Sequence, residues 1–176
     1  ILLGSSSDAH MFKVDHVAAE LRRIARYGGN YVRCTMSRRD RGNVWPFARA
    51  DTGSYDLTRK GEEYWRRFEG FIAECAGSKI VVQIELWDRF DFAREPWQHN
   101  PFNPRNNVNY DVAESGLVES IDTHPGMCEN DFFHTVPALE NNTAVLPHQQ
   151  RFVDWVLDST LEHDSILYCM DNETND

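Results

Sequence analysis

The sequence lacks any apolar run approaching the ~20 residues that a membrane-crossing helix needs, and no signal peptide is visible at its start. Basic side chains are scarce, 18 against 28 acidic ones, for a formal charge of −10. Phosphate backbones are held by clustered Lys and Arg, and the cluster Arg38, Arg39 and Arg41 is too small to reverse the acidic balance. Neither a membrane nor a nucleic acid is therefore expected as a partner. Cysteine is limited to Cys34, Cys75, Cys128 and Cys169, with no CxxC or other metal-ligand spacing. Cys34 and Cys169 lie in apolar strand-like runs, where free cysteine behaves as a small buried hydrophobe. Glycine-rich phosphate cradles are missing too. No G-x-G-x-x-G, and no G-x-x-x-x-G-K before Ser or Thr, follows a predicted strand, which removes the usual nucleotide fingerprints.

What is present is the material of an ordinary core. The 176 residues are 41% hydrophobic, and a chain of this length buries about 70% of its unfolded surface without disulfide or metal staples. One soluble globular unit is predicted. Asp15 to Tyr27 carries Val17, Ala18, Leu21, Ile24 and Ala25 at helical spacing behind an Asp15 cap, and stops at Gly28-Gly29. Tyr31 to Met36 is short and rich in strand formers. After a polar loop with Trp45-Pro46-Phe47, the spacing predicts a helix from about Thr58 to Ala76, with Tyr64, Trp65, Phe68, Phe71, Ile72 and Cys75 on one face. Lys79 to Leu86 is a nearly unbroken apolar run, as expected of a parallel strand covered on both faces. From Trp87 to about Pro147 no period is sustained, apart from a short helix expected within Ala113 to Ile121. A further amphipathic helix is read over His148 to His163, and a strand over Ser165 to Met170.

With Ile1-Leu2-Leu3 as a clipped first strand, the order becomes βαβαβ, a long loop, then αβ, which implies crossover connections and a parallel sheet. Two architectures accommodate it: a doubly wound open sheet, or a (β/α)8 barrel of which about half is present. The segments after the strands are long and loaded with polar and aromatic side chains, whereas those after the helices are short. That asymmetry favours the barrel, whose active site is built from loops at the carboxyl ends of its strands. Both ends of the sequence look cut, so a piece of a longer chain is expected.

The residues just past each predicted strand then matter most: Ser5, Ser6, Ser7, Asp8 and His10; Arg33, Ser37 and Arg38; Glu85, Trp87 and Asp88; Asp171, Asn172 and Glu173. The run Ile166-Leu167-Tyr168-Cys169-Met170-Asp171-Asn172-Glu173 resembles the fourth strand of the clan A glycoside hydrolases, the cellulase- and mannanase-like (β/α)8 retaining enzymes, in which Asn-Glu closes that strand. Gly29-Asn30-Tyr31-Val32-Arg33 resembles the clan's second strand, whose Arg reaches the active site. Asp56-Leu57-Thr58 and Lys79-Ile80-Val81-Val82 match its cadence around the second helix.

The resemblance implies that residues 1–176 are the N-terminal portion of one catalytic TIM barrel, about its first four β/α units, with a long β3-α3 loop insertion at about 87–147. It implies an O-glycoside hydrolase acting on a poly- or oligosaccharide, without a cofactor or metal, and exported to an extracellular or periplasmic space. Glu173 would be the general acid/base, Asn172 would bond the sugar 2-hydroxyl, and Arg33 would support the nucleophilic carboxylate. That nucleophile belongs on the seventh barrel strand, outside this sequence, about 5 Å from the acid/base in a retaining enzyme. His10, Asp88 and Trp87 are further substrate-binding candidates, with Trp45 and Trp97 behind them, because aromatic faces stack on sugar rings.

Other readings stay open at this point. Arg33 could form a structural ion pair with Glu85 or Asp88. Asp8, His10, Glu85, Asp88 and Glu173 could be hard metal ligands of a barrel isomerase or hydrolase, although no HxH spacing supports this. A non-catalytic carbohydrate-binding barrel is the third possibility. The long loop carries Phe90, Phe92, Trp97, Phe102, Tyr110, Phe132 and Phe133, too many aromatics for disorder; they line a sugar cleft or form a satellite core.

Overall fold

A computed structural model describes residues 2–4, 16–37, 42, 44–127 and 130–172. Glu173, His10, Asp8, Arg38, Arg39, Arg41 and Cys128, all singled out in the sequence, lie outside the described residues. The chain divides into two compact units. The first comprises 1–44, 63–88 and 156–172; the second comprises 45–62, 89–155 and 173–176.

In the first unit, helix α1 (Val17–Arg26) buries Leu21 completely. It ends in a Schellman turn: the Gly28 N–H donates to the Ala25 carbonyl at 3.0 Å, and the Gly29 N–H donates to the Ile24 carbonyl at 2.9 Å. Gly28 takes φ +83°, the left-handed conformation that such a turn demands and that glycine adopts without steric cost. The turn delivers the chain into β1 (Tyr31–Thr35), which pairs in parallel with β4 (Val81–Asp88), which in turn pairs in parallel with β5 (Ile166–Asn172). Ahead of β1, Gly4 makes a single parallel bridge to Tyr31, and the Asn30 N–H donates to the Leu3 carbonyl at 2.8 Å. This contact stands where the sequence suggested a clipped first strand, Ile1-Leu2-Leu3. Helix α2 (Glu62–Gly77) buries Tyr64, Trp65, Phe68, Phe71, Ile72 and Cys75, the stripe read from the sequence.

Parallel strands that succeed one another in the chain are thus neighbours in the sheet, in the order β1-β4-β5. The doubly wound sheet reverses its strand order at a switch point; none occurs among these three strands. Val32, Cys34, Val82 and Ile84 on one side of β1 and β4 are fully buried, each worth about 1.5–3 kcal/mol of transfer free energy for a side chain of valine to isoleucine size. β5 is less covered than the sequence implied: Leu167, Tyr168 and Met170 are exposed, and Cys169 is half-buried rather than buried.

The second unit holds the largest departure from the sequence reading. Thr58, Arg59 and Lys60 belong to strand β3 (Tyr55–Lys60), not to a helix, and β3 pairs antiparallel with β2 (Phe47–Arg49). Asp56 decides this locally. Its carboxylate accepts from the Thr58 N–H at 2.9 Å and from the Thr58 hydroxyl at 2.6 Å, competing with helical bonding at the residues meant to start the helix. Gly61 then crosses close to the hairpin: its N–H donates to the Pro46 carbonyl at 2.8 Å, and a Cβ there would sit 2.9 Å from the Phe47 carbonyl oxygen.

Among the described residues, the long segment after β4 is ordered through short elements: α3 (Arg94–His99), α4 (Val112–Ser115) and four 3-10 turns, before α5 (Leu146–Thr160). Phe92 stacks on Phe132 at 4.1 Å, and Phe102 meets Phe132 edge-on at 4.9 Å. Buried asparagines satisfy the irregular backbone. Asn103 donates to the Trp97 and Glu119 carbonyls, and Asn107 to those of Pro101 and Asn103. Gln149 of α5 donates to the Phe132 carbonyl and accepts from the Thr135 hydroxyl, tying the helix to the loop at two 2.7 Å bonds.

Candidate active site

Side chains alternate across a strand, so β1 and β4 present two different faces. One carries the aliphatic residues just named. The other carries Tyr31, Arg33 and Thr35 beside Gln83, Glu85 and Trp87, with Arg33 in register with Gln83 and Thr35 with Glu85. On this polar face Arg33 meets Glu85. Its Nε and its Nη2 each lie 2.7 Å from Glu85 Oε1. Gln83 Nε2 donates to the same oxygen at 3.1 Å, and the Tyr31 hydroxyl donates to Gln83 Oε1 at 2.8 Å. Glu85 is 2% exposed, whereas the Arg33 side chain remains 30% exposed.

The network is therefore a buried carboxylate with a cation reaching from it towards solvent. Burial raises the Tyr31 phenol above its ordinary value of 10.0, with Arg33 opposing and Glu85 and Cys169 adding to the rise. On the aliphatic side, burial pushes the Cys34 thiol strongly up, reinforced by Cys75 and Glu85. Cys75 is pushed up to about 12, mainly by its own burial and then by Glu74. A thiol kept protonated is a poor nucleophile, so neither is suited to covalent chemistry.

At the carboxyl end of the sheet, Trp87 is in register with Asp171 and Asp88 with Asn172. Strand alternation gives Trp87 the side of Glu85 and sends Asp88 to the other, where it is 3% exposed. The sequence reading had placed both in one cleft; consecutive residues of a strand do not share a side. Asn172 is the last residue of β5, so Glu173 follows the strand directly in sequence. Arg33 is paired with Glu85, one of the two structural partners anticipated for it. Gln83 and Tyr31 were not anticipated, although their parity with Arg33 and Glu85 in predicted strands was a usable signal.

Two aromatic candidates belong to the second unit. Trp97 is 1% exposed, its indole N–H donates to the Val118 carbonyl at 2.8 Å, and its ring leans on Phe92 at 6.1 Å. It is core, and corrects the expectation of a sugar platform. Trp45 precedes β2 and is half-exposed. Among the described residues no group of three or more His, Cys, Asp or Glu is placed to hold a metal ion.

No family model matches the sequence, and no curated protein matches it either. Solved structures do. Endo-glycoceramidase II from Rhodococcus sp., in its cellobiose-like imidazole complex, superposes with a TM-score of 0.54 at 15% identity, covering 99% of this chain and 40% of that one. The likeness is one of fold. The same enzyme in its cellobiose-like isofagomine complex gives 0.54, 15%, 99% and 41%, and as a lactosyl-enzyme intermediate 0.51, 15%, 98% and 40%. The chain thus spans about two fifths of the length of these structures. It is a mixed α/β fold with a parallel sheet that matches a glycosidase structure over about 40% of that chain.

Proposed function

We propose that this chain is the N-terminal portion of a (β/α)8 glycoside hydrolase that cleaves O-glycosidic bonds with retention, with Glu173 as the general acid/base. The observation that carries the reading is the sheet itself. β1, β4 and β5 run parallel in chain order, and β5 ends at Asn172 beside the Trp87 and Asp88 end of β4. A residue following a barrel strand at that edge enters the loops where barrel enzymes do their chemistry.

The fold likeness to endo-glycoceramidase II supports the same class, and its lactosyl-enzyme intermediate is the kind of species a double displacement passes through. In the proposed mechanism Glu173 protonates the leaving oxygen and later deprotonates water. Asn172 bonds the 2-hydroxyl of the sugar, and Arg33 stabilises the nucleophilic carboxylate supplied by the seventh strand of the parent protein. Trp87 offers a ring on the polar face for stacking against the sugar.

The test uses the full-length parent protein. Glu173→Gln is expected to lower turnover of unactivated glycosides by about 10²–10⁴-fold, the usual worth of general acid catalysis. Dinitrophenyl glycosides, which need no proton for departure, should suffer far less in the glycosylation step. Equal losses on both substrate types, or unchanged turnover, would remove Glu173 from this role.

A further inference from the structure

The ion pair on the polar face has an arrangement that a purely stabilising pair would not need. Three donors, Arg33 Nε, Arg33 Nη2 and Gln83 Nε2, converge on the single oxygen Oε1 of Glu85. Among the described residues Oε2 of the same carboxylate is buried without a hydrogen-bond partner, and so is the hydroxyl of Thr35, the residue in register with it. Burying a carboxylate is costly, and replacing a buried pair by apolar residues is often neutral or better for stability. An unsatisfied buried polar atom in a native structure calls for an explanation, such as an ordered water or a role in function. Here the geometry supplies one. Both contacts fall on the Nε and Nη2 edge of the guanidinium, so they fix its plane and its direction, while the Arg33 side chain stays partly exposed. Gln83 is held in turn by the Tyr31 hydroxyl, which steadies the carboxylate from the side opposite Arg33 in the bonding chain.

We propose that Glu85 is a positioning residue: it aims the Arg33 guanidinium at the reacting centre, with Gln83 and Tyr31 bracing Glu85 itself. This rests on the glycosidase reading above, in which Arg33 supports the nucleophile. Glu85 touches no substrate in this scheme and acts through Arg33. An orienting group that acts through another must lose its influence when that other is removed, and this makes the idea testable by a cycle of variants.

In the full-length protein, Glu85→Gln, Arg33→Met and the double variant are compared on an activated aryl cellobioside. Glu85→Gln is expected to lower kcat about 10–100-fold with KM changed less than about threefold, since transition-state support is lost and substrate binding is not. In the Arg33→Met background, Glu85→Gln should cost less than about threefold more. Multiplicative losses, or an unchanged kcat in Glu85→Gln, would overturn the proposal. Crystal structures of the parent protein and of Glu85→Gln provide a readout that needs no turnover. The Arg33 guanidinium should be well ordered in the former and displaced or spread over several positions in the latter; an Arg33 that stays in place would also overturn it. Absence of activity in the parent, with Arg33 displaced in Glu85→Gln, would sink the glycosidase reading and leave the orienting role of Glu85 standing. Where Glu85→Gln does not fold, the charge-free pair Arg33→Met with Glu85→Leu decides. Recovered folding supports an orienting role, and failure to fold makes the pair structural and the proposal wrong.

Discussion

Replacing Asn107 by alanine should unfasten the loop that follows α3. Asn107 is buried and makes four hydrogen bonds: its Nδ2 donates to the Pro101 and Asn103 carbonyls at 3.1 Å each, and its Oδ1 accepts from the N–H groups of Asn109 and Tyr110 at 2.9 and 3.1 Å. Of these backbone groups the Asn103 carbonyl also accepts from the Asn106 N–H at 2.9 Å, and the side chain ties it to the other three as a ladder would. At about 0.5–1.5 kcal/mol net per bond, with buried partners left unsatisfied, the loss should total about 3–5 kcal/mol. Asn107→Asp keeps the oxygen that accepts from Asn109 and Tyr110 but turns its other oxygen on the Pro101 and Asn103 carbonyls, and its carboxyl should resist ionisation. Its stability should therefore be recovered partly at low pH and fall as pH rises. The assay is hydrogen exchange over residues 98–110, followed through a urea series in the intact protein. A loss below about 1 kcal/mol in Asn107→Ala, with protection of this segment unchanged, would refute the view that side chains replace secondary structure here.

Two further predictions concern pH. Cys75, with a folded pKa of about 12 against 9.0 unfolded, and Cys34, raised as well, bind protons more tightly in the folded chain. Their contribution is complete below pH 9 and is lost as pH rises from there towards about 12. Cys34→Ala with Cys75→Ala should flatten that alkaline decline, and maleimide should leave both thiols unlabelled at neutral pH until the chain unfolds. His148 shifts the other way: burial, then the Arg151 charge, lowers its pKa from 6.5. The neutral ring's contribution is present above that value and lost as pH falls, so His148→Gln should reduce the acid sensitivity of thermal unfolding between about pH 7 and 5.

Much of the first unit was legible in the sequence. The stripe of α2 is a periodic signal and the unbroken apolar run of β4 a compositional one, and both survive folding because burial depends on them. The Gly28-Gly29 stop was equally readable, since few residues but glycine accept the left-handed turn. The β2–β3 hairpin was not. Its residues Thr58 to Lys60 carry no apolar alternation, and the deciding factors were an Asp56 side-chain bond and a pairing with β2. The loop aromatics were read as cleft or core; for Trp97 the partners Val118 and Phe92, distant or unmarked in sequence, settled it as core.

For the candidate site, the sequence by itself determined which residues were eligible: Arg33 and Glu85 in strands, Asn172 and Glu173 at the end of one. It determined their parity too, because alternation is a property of the extended chain alone. Only the tertiary structure decided that β4 lies between β1 and β5, that Arg33 meets Glu85 rather than Asp88, and that Gln83 and Tyr31 complete the chain of bonds. Register causes this difference. Which residue stands opposite which is set by hydrogen bonds between segments some fifty residues apart, and no local preference of either segment encodes it.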